Sequence, residues 1–310
     1  MFCIVAFIIL SVIAIFNAAY RDLAKEAYDC VFRRITFKPC NTGFKEKMKA
    51  KLSGQLLNRS VRAARFFNHH FELLAWIFFI LTIGSIFWTG KGLFNFYMYG
   101  SCNGLNKSGF CALDPKGENN KVSQAGGSCS DGSGDESKVT LSGVNTKLFP
   151  SINNGSEDSV VLIGCYSCDY TRKAYPIIKE FLAKNKVNYT FAHYPVKEET
   201  LYLLPIGYCA YQQNQTAYWQ LNDQLFASSK EDIAKREFVD TLLQKNGYDI
   251  NAINSCINSA ETQSAVVERR IELEKTNIYG TPLLFINGKG LVGPKPYRVY
   301  ERILKGWRFW

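Results

Sequence analysis

Val160-Val-Leu-Ile163 is an apolar run rich in β-branched residues, and it stops at Gly164 immediately before Cys165-Tyr-Ser-Cys168. Such a run reads as a buried strand. Downstream, Ala174, Ile177, Ile178, Phe181 and Leu182 fall at i, i+3, i+4, i+7 and i+8, which makes one apolar helix face. A C-x-x-C therefore sits where a strand hands over to a helix. Unpaired amides and aligned peptide dipoles at a helix N-terminus favour a thiolate there. Cys165 is accordingly expected to be an exposed nucleophile, with Cys168, one helical turn in, as the thiol that resolves its disulfides. A zinc site usually needs four ligands. The chain has no second C-x-x-C, and His69, His70 and His193 are not at ligand spacing from this one, so no metal is expected.

The net charge of +10 is unevenly spread over the 310 residues. Residues 20–71 hold 12 Lys/Arg against 4 acids, while residues 90–310 hold 25 against 22. A nucleic-acid-binding domain would carry the excess on its own folded surface, so no nucleic-acid partner is expected. The excess lies instead between two uncharged runs, 18 residues from Phe2 to Ala19 and 17 from Leu73 to Thr89. Each would span about 26 Å as a helix, the short end of a membrane crossing. The expected layout is two transmembrane helices, 1–20 and 72–90, around a basic, partly helical cytoplasmic loop, 21–71. By the positive-inside rule, everything after residue 90 faces outside the cytoplasm. Phe44 to Phe67 reads as one amphipathic helix suited to a lipid surface. In a reducing cytosol Cys30 and Cys40 would be free thiols.

Residues 91–145 hold Cys102, Cys111 and Cys129. Cys102 and Cys111 are candidates to close a small loop, and the pairing of Cys129 is open. Residues 115–157 are rich in Gly, Ser, Asn and Asp, which reads as a flexible linker. The outer domain is placed at 146–310. Its second strand is expected over Val187–Tyr194, where His193 reads as a strand residue near the sheet end rather than a catalytic base. Helices fill about 198–278: one from Thr216 to Phe226, one from Ser229 to before Gly247, and one from about Asp249 to Lys275. A Cys209–Cys256 bridge across this block would close a loop of about 47 residues and add about 4 kcal/mol on the chain-entropy model. Gly280-Thr281-Pro282 then leads into Leu283–Ile286, and Asn287-Gly288 signals a hairpin back through Lys289–Val292. Thr281-Pro282 is a candidate cis peptide. A last amphipathic helix covers Tyr297–Leu304.

In this order, residues 146–310 resemble the thioredoxin superfamily, and within it the DsbA-like thiol–disulfide oxidoreductases. The ordered set that carries the likeness is the strand into Cys165-Tyr-Ser-Cys168, the second strand ending in Tyr194-Pro195-Val196, the helical insertion, and Gly280-Thr281-Pro282 before Phe285-Ile286-Asn287-Gly288. The resemblance implies an α/β thioredoxin-like fold with a helical insertion. It implies Cys165 and Cys168 as the redox pair, with Tyr166, Ser167, Thr281 and Pro282 at the substrate-binding surface and Pro176 kinking the active-site helix. No metal or organic cofactor is implied, because the disulfide carries the electrons. The expected function is disulfide formation in exported proteins at the cell membrane. Reoxidation would use a membrane partner resembling DsbB or vitamin-K-epoxide reductase. Tyr166-Ser167 is neither the Pro-His of the strong oxidases nor the Gly-Pro of the reductases. A reductase or isomerase fed by a membrane electron carrier, and a redox-inert adaptor, are the competing readings.

Overall fold

The computed structural model describes residues 2–38, 43–58, 60–107, 109–124, 129–130 and 139–306. The chain divides into two compact units, Met1–Lys91 and Gly92–Trp310.

The first unit is helical: α1 (Phe2–Phe16), α2 (Arg21–Ile35), α3 (Phe44–Leu57), α4 (Val61–His69) and most of α5 (Phe71–Tyr99). Ala6 and Leu10 of α1, Leu23, Ala27 and Cys30 of α2, and Phe44 and Met48 of α3 form one buried apolar cluster. The helix expected over Phe44–Phe67 is in fact two, because Ser60 caps α4 by accepting the Ala63 amide at 3.4 Å. Cys30 is disulfide-bonded rather than free. Its expected free thiol followed from placing the loop in a reducing cytosol, and a bridge in α2 speaks against that placement. Cys40 lies outside the described residues. Of the two spans expected, only α5 is long and apolar enough to cross a membrane among the described residues. α1 is apolar throughout, but its 15 residues rise only about 22 Å before a 3₁₀ turn at Ala18–Tyr20.

The second unit contains β1 (Val122–Ser123), β2 (Cys129–Ser130), β3 (Ser151–Ile152), β4 (Ser159–Gly164), α6 (Asp169–Lys184) and β5 (Asn188–His193). There follow α7 (Leu203–Gln213), α8 (Gln215–Ala227), α9 (Lys230–Ile233), α10 (Arg236–Lys245), α11 (Ile250–Ile257) and α12 (Ala260–Glu274). The chain then forms β6 (Leu283–Ile286), β7 (Lys289–Val292) and α13 (Tyr297–Lys305). Five strands make one sheet in the order β3-β5-β4-β6-β7, with β4 and β5 parallel and the other neighbours antiparallel. Alternation along β4 splits the core by sheet face. Val160 and Leu162 pack with Ile178, Phe181 and Tyr300, whereas Val161 and Ile163 pack with Val122, Phe149 and Phe285. The helix expected over Thr216–Phe226 is α8, whereas the helix expected after Ser229 divides at Lys235 into α9 and α10, and the one expected over Asp249–Lys275 divides at Ser259 into α11 and α12. Asn214, Ser229, Asp249 and Ser259 accept backbone N–H groups at the starts of α8, α9, α11 and α12.

The linker reading of 115–157 does not hold where the chain is described. Val122 is fully buried and Phe149 nearly so. Asn106 closes the edge of β7 like a strand: its Nδ2 donates to Gly290 O at 2.8 Å, and its Oδ1 accepts from Val292 N at 2.9 Å. A polar composition hides this attachment because a few well-placed side chains provide it, and the folded unit begins well before residue 146. Cys102–Cys111 and Cys209–Cys256 are disulfides, with Cα–Cα distances of 5.4 and 5.9 Å. The side chain of Cys129 lies outside what is described.

Candidate active site

Gly164 ends β4 and Asp169 starts α6, so the four residues Cys165–Cys168 form the turn between them. Cys168 is the N-cap of α6 rather than a residue one turn inside it. Its N–H donates to Cys165 O at 3.3 Å, and its own carbonyl accepts the Arg172 amide at 2.9 Å. Both thiols are free, and both are fully buried. The exposed nucleophile expected at position 165 is therefore shut in, packed with Val196 and Tyr194 from the segment after β5.

The polar surroundings set the chemistry. Ser167 Oγ lies 3.4 Å and Thr200 Oγ1 3.9 Å from Cys165 Sγ. The Cys165 pKa is pulled down to about 5, first by the hydrogen bond from the Cys168 thiol. Burial opposes the shift, while the charge of His193, the Ser167 hydroxyl and the Val196 amide reinforce it. Cys168 is pushed far the other way by burial and by sharing its proton with Cys165. Reduced, the pair is one thiolate and one thiol with the proton held between them.

His193 ends β5 opposite Gly164. Its Nδ1 lies 3.3 Å from Gly164 O and its Nε2 3.2 Å from Thr200 O. Carbonyl oxygens only accept, so both contacts are hydrogen bonds at once only in the imidazolium. Burial holds the His193 pKa below the usual imidazole value, and the Cys165 thiolate opposes that. No acid occupies β4, and this imidazole on the neighbouring strand is one of the titratable groups that act on Cys165, with Cys168 and Arg172.

Tyr166 and Ser167, expected at the substrate surface, are buried as well. Tyr166 turns into the core, with its ring centroid 4.5 Å from that of His193 and 4.8 Å from that of Phe226. Its hydroxyl donates to Asn222 Oδ1 at 2.7 Å, Asn222 Nδ2 donates to Tyr175 OH at 2.7 Å, and Tyr175 OH donates to Asp223 at 2.5 Å. The dipeptide is thereby tied to α6 and α8 through a buried hydrogen-bond chain. The Thr281–Pro282 peptide is cis. Thr281 is fully buried, because β1 pairs with it: Ser123 N donates to Thr281 O at 2.8 Å and Thr281 N to Ser123 O at 3.0 Å.

Sequence reasoning passed over Ser123, Thr200 and Asn222. Only Asn222 left a signal, a polar residue on the apolar face made by Tyr218, Leu221 and Leu225 of α8.

Residues 156–306 match the model of the family described as Thioredoxin. This chain carries a thioredoxin-family domain. Solved structures similar to it include the thiol-disulfide exchange protein alpha-DsbA2 from Wolbachia pipientis, at 20% identity over 51% of this chain and 86% of that one, TM-score 0.47. A thioredoxin-like oxidoreductase from Silicibacter pomeroyi aligns at 18% identity over 52% and 94%, TM-score 0.45. Oxidised BdbD from Bacillus subtilis aligns at 17% over 52% and 92%, TM-score 0.44. No curated protein matches the sequence. Within residues 156–306, the Thr281 side chain lies close enough to Cys168 to bear on its titration.

Proposed function

We propose that this protein is a membrane-anchored thiol–disulfide oxidoreductase of DsbA-like type that forms disulfides in proteins outside the cytoplasm. The observation that carries the reading is the Cys165–Cys168 couple itself: two free, buried thiols in the turn between β4 and α6 of a thioredoxin-family domain. In the oxidising direction a substrate thiolate attacks Sγ of Cys165 in the Cys165–Cys168 disulfide. A mixed disulfide forms and Cys168 leaves, taking up a proton. A second substrate thiolate then attacks the substrate sulfur of the mixed disulfide, releasing Cys165 as its stabilised thiolate. Two electrons pass from the substrate to the pair. No other cofactor is required, and reoxidation falls to a membrane redox partner resembling DsbB or vitamin-K-epoxide reductase.

The membrane part rests on α5, where Ile77, Phe78, Ile80, Leu81 and Phe87 are exposed, a surface suited to lipid. We place α1 as a second apolar element in a two-pass arrangement; the bridged Cys30 on the resulting cytoplasmic side stands against it, so the reporter at the α2–α3 junction is the deciding one. The bridges Cys102–Cys111 and Cys209–Cys256 support an oxidising compartment for the domain. Reporter fusions at the α2–α3 junction and at the C-terminus test that topology, and opposite signals refute it if they appear on the wrong sides.

The reduction potential of the pair decides the direction of flow. A value of about −120 to −180 mV supports the oxidase, and one near about −270 mV a reductase. A Cys165→Ser protein that still exchanges disulfides refutes the mechanism.

A further inference from the structure

We infer that the polypeptide-docking edge beside the redox pair is filled in the resting protein by the chain's own strand β1, and that an extended substrate segment binds by displacing it. The inference rests on the oxidoreductase reading for what the displacing segment is, but not for the occupancy of the edge.

The ladders of β6 to β4 and β7 begin at Leu283, so Thr281, two residues earlier, has backbone groups that neither partner strand uses. Those groups are free to receive another strand, and the Thr281 side chain is close enough to Cys168 to bear on its titration. Ser123 takes both of them in an antiparallel bridge, at 2.8 and 3.0 Å. Its side chain is also close enough to Cys168 to favour the thiolate there. This is strand addition to a sheet edge, with the ligand supplied in cis.

The seat is shaped for a backbone. A Cβ on Gly280 would stand 2.7 Å from both Ser123 O and Val122 Cγ2. One on Gly293, whose φ is +76°, would stand 2.8 Å from Lys121 O. Two bare glycines thus let residues 120–123 lie directly on the loops that flank the pair. Upstream, the buried Lys295 donates from Nζ to Asn119 O at 2.9 Å and to the Asn120 side chain, and Glu118 forms an ion pair with Lys173 of α6. These contacts tether the segment next to the seat whether or not β1 is seated.

The bound dipeptide also reports what the edge accepts. Val122 fills a cluster with Ile163, Leu283, Phe285 and Val292, and the small Ser123 sits opposite Thr281. A displacing segment is therefore extended, with an apolar residue at the first position and a small one at the second. β1 is two residues long, and elements so short open locally at little cost.

The test uses the full chain in detergent and a labelled, cysteine-free peptide with the sequence of residues 117–124, so its readout does not depend on redox activity. Ser123→Pro removes the N–H that bonds Thr281 O. The peptide is expected to bind this variant at least tenfold more tightly than the natural chain. Equal binding, or none by a variant with a native circular dichroism spectrum, overturns the inference. Should the variant not fold, hydrogen exchange on the natural chain decides. Excess peptide is expected to speed exchange at the Ser123 amide at least tenfold while Thr281 stays protected, and unchanged protection at Ser123 overturns it. Exchange of Cys165 with glutathione, measured alongside, reports the oxidoreductase reading separately.

Discussion

Raising the pH through the Cys165 titration should change the slope of the pair's reduction potential, and the size of the change follows from the site. With Cys165 pulled down to about 5 and Cys168 pushed far up, the reduced pair carries one proton across neutral pH. An ordinary pair, with both thiols near about 8.5, carries two. Two electrons with one proton give a slope of about −30 mV per pH unit, and with two protons about −59 mV. The potential should therefore fall by about 30 mV per unit from pH 5.5 to 8 and by about 59 mV per unit below pH 5. The same difference has a thermodynamic form. A folded pKa below the unfolded one stabilises the reduced protein above the unfolded pKa, and that stability is lost as pH falls through about 5. At pH 7 it amounts to about 3 kcal/mol, or about 60 mV in the oxidising direction relative to an unshifted pair. Equilibration of the full chain against glutathione buffers at several pH values, with alkylation and mass spectrometry to count the reduced fraction, gives the slope. A slope of about −59 mV per unit maintained from pH 5.5 to 8 would show that Cys165 is an ordinary thiol and that the shared proton does not exist.

Three further outcomes are expected. His193→Gln removes the imidazole whose charged form favours the thiolate, so the Cys165 titration followed at 240 nm should move up; an unmoved titration would leave His193 a structural strand residue. Asn222→Ala strips the buried Tyr166 hydroxyl of its acceptor, at a cost of about 2 kcal/mol in chemical denaturation, and a loss below about 0.5 kcal/mol would mean that water replaces the amide. Replacing both Cys209 and Cys256 by Ala opens a loop with a sequence separation of 47, and should cost about 4 kcal/mol with the redox potential unchanged; a shifted potential would tie that bridge to the active site.

The parts of the fold written as local periodicity were legible. The β4 run, the α6 stripe and the Asn287-Gly288 hairpin each depend on neighbours a few residues apart, and Asn287 and Gly288 take the positive φ values of 49° and 78° that such a turn needs. The helical block was legible as helix but not in its breaks, because Ser259 ends one helix and begins another through a side-chain cap that periodicity does not register. Exposure at the site was not legible. Nothing in Cys165-Tyr-Ser-Cys168 shows that Tyr166 turns inward to Asn222, 56 positions away, or that Val196 and Tyr194 close over the thiols. Least visible was the attachment of residues 99–123. Asn106, Val122 and Lys295 hold it through contacts to or from the far end of the chain, and composition averages such single residues away.

Among the described residues there are bridged cysteines and one free pair, and the contrast between them bears on the direction of electron flow. Cys209 and Cys256 close a long loop, so their bridge removes much entropy from the unfolded chain and favours the disulfide. Cys165 and Cys168 are three residues apart, so their bridge removes little, and nothing comparable holds it closed. The reduced pair, in contrast, gains the hydrogen bond between its two sulfurs and the fields of His193 and the Val196 amide, all of which favour the Cys165 thiolate. A disulfide has no charge to stabilise, so those interactions are lost on oxidation. Both effects act in the same sense: the structural bridge resists reduction, while the Cys165–Cys168 pair is drawn toward its reduced state, the sense that the proposed oxidase requires. A reductase would favour its thiolate less, so that its pair holds electrons less tightly. What the resting structure adds is a barrier to that reactivity, because the thiols are buried and the adjoining edge is occupied. In the proposed oxidase, a pair covered in this way would react with the polypeptides that can open it, so its selectivity would come from access rather than from the chemistry of the sulfur.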